Sequence, residues 1–107
     1  MSGLDEREKD FERKFEHEQE LAFKVKARRN HLLGSWAAEK LGLKGETAQR
    51  YAATIADPAQ HLHGDAEIVK KIAADFKSKG VALDAARIRL ELEAFAAAAK
   101  KALGVPK

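Results

Sequence analysis

Asp5-Glu6-Arg7-Glu8-Lys9-Asp10-Phe11-Glu12-Arg13-Lys14-Phe15-Glu16-His17 opens a proline-free run. It continues through Leu21-Ala22-Phe23-Lys24 to Ala27-Arg28-Arg29-Asn30-His31-Leu32-Leu33-Gly34-Ser35-Trp36-Ala37-Ala38-Glu39. Strong helix formers fill it, so one long helix from about residue 4 to residue 41 is expected. Its halves differ in kind. Twelve of the sixteen residues from 5 to 20 are charged, and only Phe11 and Phe15 among them are large and apolar. From Leu21 onward Leu21, Val25, Leu32, Trp36 and Leu41 are dense enough for burial, with Val25, Leu32 and Trp36 at i, i+7, i+11 as the expected stripe. Gly34 costs about 1 kcal/mol relative to alanine inside a helix, so a closely approaching neighbour beside Trp36, or a kink, is expected there. A charged arm, residues 1–20, continuing into a helical body, residues 21–107, is the expected organisation.

In the body, Ala48, Tyr51, Ala52 and Ile55 recur at i, i+3, i+4, i+7 and predict a second helix over residues 45–55, stopped by Asp57-Pro58. A third helix is expected to start with Asp65 as its cap. It would bury Ile68, Val69, Ile72, Ala73 and Phe76, leave Lys70, Lys71, Lys77 and Lys79 in solvent, and close at Gly80. A fourth has Asp84 at N-cap, with Leu83 and Ile88 placed as a hydrophobic staple. Its core stripe is Ile88, Leu92, Phe95, Ala99 and Leu103. The fold class is therefore all-α, a small antiparallel four-helix bundle with a long first helix whose charged arm frays alone and orders on a partner.

The chain has 107 residues, no cysteine, and few glycines and prolines. One domain with a modest core fits this length, and neither disulfides nor thiolate metal sites are available. Acidic residues appear at once after Met1-Ser2-Gly3-Leu4, without an apolar stretch of the signal-peptide kind. No uncharged run approaches the ~20 apolar residues of a membrane span. A cytoplasmic protein is expected. Charge is uneven: residues 1–20 carry four basic and eight acidic side chains, whereas the whole chain is +3.

Candidate chemistry is sparse. His61 and His63 lack the further ligands that a structural metal site needs. His17 sits in the charged arm, where its protonation could tune arm binding, and His31 borders the apolar stripe as a semi-buried residue. No carboxylate pair, serine–histidine arrangement or glycine-rich phosphate loop stands out, so an enzyme is not expected and no cofactor is implied. Lys24, Lys26, Arg28 and Arg29 form the best basic cluster, but they spread over two faces beside an acidic segment and lack interleaved aromatics. Nucleic acid is a poor partner for that pattern.

The residues from Asp5 to Gly42 quoted above, with Leu41-Gly42 and Val81–Arg89, closely resemble the zeta inhibitor subunit of α-proteobacterial F-type ATP synthases. The resemblance spans nearly the whole chain. It implies a four-helix bundle whose N-terminal segment enters an interface between the α and β subunits of the head, near the central rotor, and blocks ATP hydrolysis. Carried onto this chain, Phe11 and Phe15, with Leu4, are apolar anchors. Arg7, Lys9, Arg13 and Lys14, interleaved with Asp5 and Glu12, would pair with charges on the cleft walls. The implied partners are the α, β and rotor subunits of a membrane-bound synthase, met peripherally by a protein that is monomeric when free. The competing reading from the residues is a helical adaptor or nucleic-acid-associated bundle whose acidic arm masks a basic face. Weak nucleotide binding by the bundle is a further alternative, without a loop to support it.

Overall fold

The 39-residue helix α1, Ser2–Lys40, dominates a computed structural model of the chain. The structure describes the backbone of residues 2–57 and 64–104, and the side chains of residues 19–57 and 64–104. Three shorter helices follow: α2 (Gly45–Ala56), α3 (Asp65–Ser78) and α4 (Ala85–Ala102). The described residues contain no strand, so the chain is all-α. At 1.5 Å per residue α1 is about 58 Å long and the 18-residue α4 about 27 Å. The molecule measures 66 × 28 × 25 Å, and its long dimension is that of α1.

Side-chain contacts give the topology. Gly34 of α1 meets Ala52 of α2, while further back along α1 Ala27 and Asn30 share a cleft with Ala56 at the end of α2, so α2 runs antiparallel to α1. Arg29 bonds Asp65 and Trp36 packs on Phe76, so α3 runs with α1. After a short link α4 returns along α3, with Arg89, Leu92 and Ala96 beside Asp65, Ala66 and Val69. The result is an up-down-up-down bundle, the connectivity that short links favour.

The core is built from Leu33, Ala37, Ile55, Ile68, Val69, Ile72, Phe76, Ile88 and Leu92. Each fully buried Leu, Ile or Phe contributes about 1.5–3 kcal/mol from removal of its surface from water. Trp36 packs its ring edge-to-face on Phe76, with centroids 5.7 Å apart and planes at 68°. The apolar faces expected for α2, α3 and α4 are those observed, and Asp84 caps α4 by accepting the Arg87 amide at 3.0 Å. At the staple positions Ile88 lies in the core cluster and the half-buried Leu83 packs against it.

Helix α1 turns its face differently from the expected stripe. Leu33, Ala37 and Ala38 are fully buried, whereas Leu32 and Trp36 are only half-buried. Gly34 sets the shift. The point of closest approach takes the smallest side chains: a Cβ on Gly34 would lie 2.8 Å from the Ala52 Cα and 3.1 Å from its carbonyl oxygen. Close helix approach, rather than a kink, is thus the reason for Gly34. His31 is exposed, not semi-buried, because the buried arc passes through its neighbour Asn30.

The helix ends are satisfied locally. Leu43 N–H donates to Ala38 O at 2.9 Å and Gly42 N–H to Glu39 O at 3.0 Å, a Schellman closure with Gly42 at φ +78°. Val81, Gly80, Phe76 and Lys77 repeat the arrangement after α3. At the start of α3 the expected cap is displaced. Gly64 occupies N-cap without a side-chain bond, and Asp65 is the first helical residue. Its carboxylate is drawn away to Arg29.

Candidate functional site

Helix α1 has a first half that precedes the core and a junction, here called the elbow, where that half joins the bundle. Among the described residues the core begins at Val25. The excess length of α1 over α4 is about 30 Å, or about twenty residues, so the helix outruns its longest neighbour by roughly the stretch preceding Leu21. Starting a free helix is costly, but extending an existing one adds a bond for each residue fixed. The packed second half of α1 supplies that start, which accounts for helical backbone from Ser2 despite so little apolar surface.

Leu4, Asp5, Arg7, Lys9, Phe11, Glu12, Arg13, Lys14 and Phe15 all fall on this first half. Their side chains, and that of His17, lie outside the described residues, as do His61 and His63. The helical backbone carries positions 4, 11 and 15 at i, i+7, i+11, within one face.

The elbow is described in full. Phe23 is 63% exposed, as is Leu90 on α4; what sets Phe23 apart is the cleft beside it. That cleft, of about 220 Å³, is lined also by Lys26, Ala27, Asn30, Ala56 and Ile68. Below the cleft lies a polar clasp that sequence inspection did not reveal. Arg29, whose side chain is only 12% exposed, forks onto Asp65 with Nη2–Oδ1 at 2.7 Å and Nη1–Oδ2 at 3.2 Å. Its Nε and Nη2 also donate to the Oδ1 of Asn30 at 3.0 and 2.8 Å. Asn30 is 6% exposed, so this acceptor is satisfied where water cannot serve it. A hint existed in the sequence: Arg29 stands seven residues before Trp36, and Asn30 four before Gly34, both on the packed face. The partner, thirty-six residues away, had no such hint.

A second clasp ties α2 to α3. Tyr51 Oη donates to Asp75 Oδ2 at 2.8 Å, Lys71 Nζ reaches the same oxygen at 3.3 Å, and Lys71 lies 5.9 Å from the Tyr51 ring centroid. Lys71 is therefore half-buried rather than solvated like Lys70. Burial first, then the hydrogen bond to and the charge of Asp75, push the Tyr51 phenol well above its ordinary range. The geometry is that of a structural pin between α2 and α3.

The basic cluster is dispersed. Lys24 pairs with Glu20 at 3.7 Å, Arg29 is committed to Asp65, and Lys26 faces the cleft. No continuous phosphate-tracking surface results. Among the described residues no group of three metal-ligating side chains occurs, and no helix is long and apolar enough to cross a membrane.

The family model described as ATPase inhibitor subunit zeta matches residues 1–102. Comparison with curated proteins and with solved structures returns no match.

Proposed function

The chain belongs to the ATPase inhibitor subunit zeta family, a family of regulators and not of catalysts, and from that premise we propose that it blocks ATP hydrolysis by an F-type ATP synthase. Residues 1–20 form the inhibitory arm and residues 21–107 the bundle that carries it. The arm enters an interface between α and β subunits of the head near the rotor. Phe11 and Phe15, with Leu4, anchor it there, and Arg7, Lys9, Arg13 and Lys14, interleaved with Asp5 and Glu12, pair with the cleft walls. The free protein is a monomer that meets the membrane-bound synthase peripherally from the cytoplasm.

The observation that carries this reading is the continuity of α1 through a length its neighbours do not match. A helix with so few apolar residues gains little from water exclusion alone, and ordering such a segment on a partner consumes on the order of 2–5 kcal/mol of the gross interaction energy. Continuity with the packed half lowers that cost. A cleft that encloses the arm in one rotary state gains affinity there, and binding shifts the head toward that state. Rotation in the hydrolysis direction then stalls.

The test is ATP hydrolysis by the purified cognate head, stripped of this subunit, with added full chain or a chain beginning at Leu21. Inhibition by the full chain alone is the expected result. Equal inhibition by both would move the activity into the bundle and overturn the arm assignment.

A further inference from the structure

We propose that the elbow of α1 is a second contact with the synthase head, taking one apolar side chain from the rim of the cleft that the arm enters, beside a carboxylate that meets Lys26. This rests on the inhibitor reading above and names the part of the bundle that docks.

Register is the first argument. Phe23, Asn30, Gly34 and Ala37 are spaced by seven, four and three residues, so Phe23 shares the face that packs on α2. Helix α2 covers that face from Gly34, beside Ala52, to the level of Ala27 and Asn30, beside Ala56. There α2 ends. Phe23 stands beyond it and remains 63% exposed on a bundle-facing surface. Ala27, Ala56 and Ile68 give the adjoining cleft apolar lining, beside Asn30 and the Asp65 carboxylate that Arg29 holds.

Position is the second argument. Phe23 follows Glu20 by three residues, about 4.5 Å along the axis. With residues 1–20 inside a cleft, a continuous helix holds Phe23 at its mouth, where the rim must either touch it or leave it wet. Charge agrees. The arm is acidic, but Lys26 on the cleft wall has no ion-pair partner among the described residues. At about 220 Å³ the cleft falls below the roughly 300 Å³ at which small-molecule sites begin, which suits a single side chain.

Full-length chains carrying Phe23→Ser, Phe23→Leu or Lys26→Glu are titrated into the purified head, reading the Kd and the inhibition at saturation separately. Phe23→Ser is expected to raise Kd about tenfold while saturating inhibition stays complete, since the arm is intact. Phe23→Leu should retain most of the affinity. Lys26→Glu should weaken binding severalfold and flatten its salt dependence. Phe23 is 63% exposed and Lys26 is exposed, so the thermal midpoint should move little. Wild-type binding with Kd unchanged to within twofold in both Phe23→Ser and Lys26→Glu would overturn the elbow contact and leave the inhibitor reading standing. Failure of the wild-type chain to bind the head would instead remove that reading. Concentration-dependent dimerisation of the free chain, abolished by Phe23→Ser, would assign the face to a second copy and overturn the proposal.

Discussion

Gly34 on α1 lies so close to α2 that a Cβ built on it would stand 2.8 Å from the Ala52 Cα and 3.0 Å from the Ile55 Cβ. Two backbones meet here, and neither can turn aside as a long side chain could. Gly34→Ala gains about 1 kcal/mol of helix propensity, but the overpacking costs typically about 1–3 kcal/mol, at the upper end against backbone. We expect Gly34→Ala to lower the urea midpoint. Ser35→Ala, on the exposed face one residue on, should leave it unchanged or raise it slightly.

The Arg29 clasp should couple α1 to α3 in a way that a lysine cannot reproduce. Lysine offers a point charge where the guanidinium serves both Asp65 oxygens and Asn30. Arg29→Lys is expected to cost about 1–2 kcal/mol, mostly through the half-satisfied Asn30. Asp65 is 45% exposed, so Asp65→Asn should cost less, about 1 kcal/mol. A double-mutant cycle in urea should return a coupling of about 1 kcal/mol; strict additivity would show that the pair is screened away.

Asp84 and Asp65 each stand at a helix start but act through different partners. Asp84→Ala removes a true N-cap and should cost about 1 kcal/mol. Asp65→Ala should cost little once Arg29 has been replaced by methionine, because it caps nothing. A full-sized loss in the Arg29→Met background would mean that Asp65 supports α3 through its N-terminal charge instead.

Tyr51 sets a limit on alkaline stability. Its phenol is held above the unfolded value of about 10, so the folded state keeps a proton that the unfolded chain releases. The stability this supplies is complete below about pH 10 and declines as pH rises toward the folded value. The difference in unfolding free energy between wild type and Tyr51→Phe, followed by urea denaturation, should therefore be constant from pH 7 to 9 and shrink above about pH 10.

In the arm, Phe11→Ser with Phe15→Ser should leave the melting temperature of the bundle unchanged while abolishing inhibition of the head. A large fall in melting temperature would show that these rings pack on the bundle rather than serve a partner.

Much of this architecture is legible without coordinates because it rests on local rules. The 3.6-residue periodicity of Ala48–Tyr51–Ala52–Ile55 and Ile68–Val69–Ile72–Phe76, the Asp84 cap and the glycines at 42 and 80 each concern neighbours within two turns of chain. The contrast between the charged residues 5–20 and the apolar residues that follow is likewise a property of composition, and it sets the two halves of α1 apart before any fold is known. Tertiary structure alone decided which residues of α1 face inward, turning the helix from Leu32 toward Leu33, Gly34 and Ala37, because the close approach of α2 is possible only at Gly34 and fixes the buried arc around it. It also took Asp65 from its expected cap to Arg29, made Tyr51 and Asp75 partners, and left Phe23 uncovered where α2 ends. Those outcomes depend on pairs twenty-four and thirty-six residues apart, and on where one helix stops beside another, distances over which no sequence period carries information.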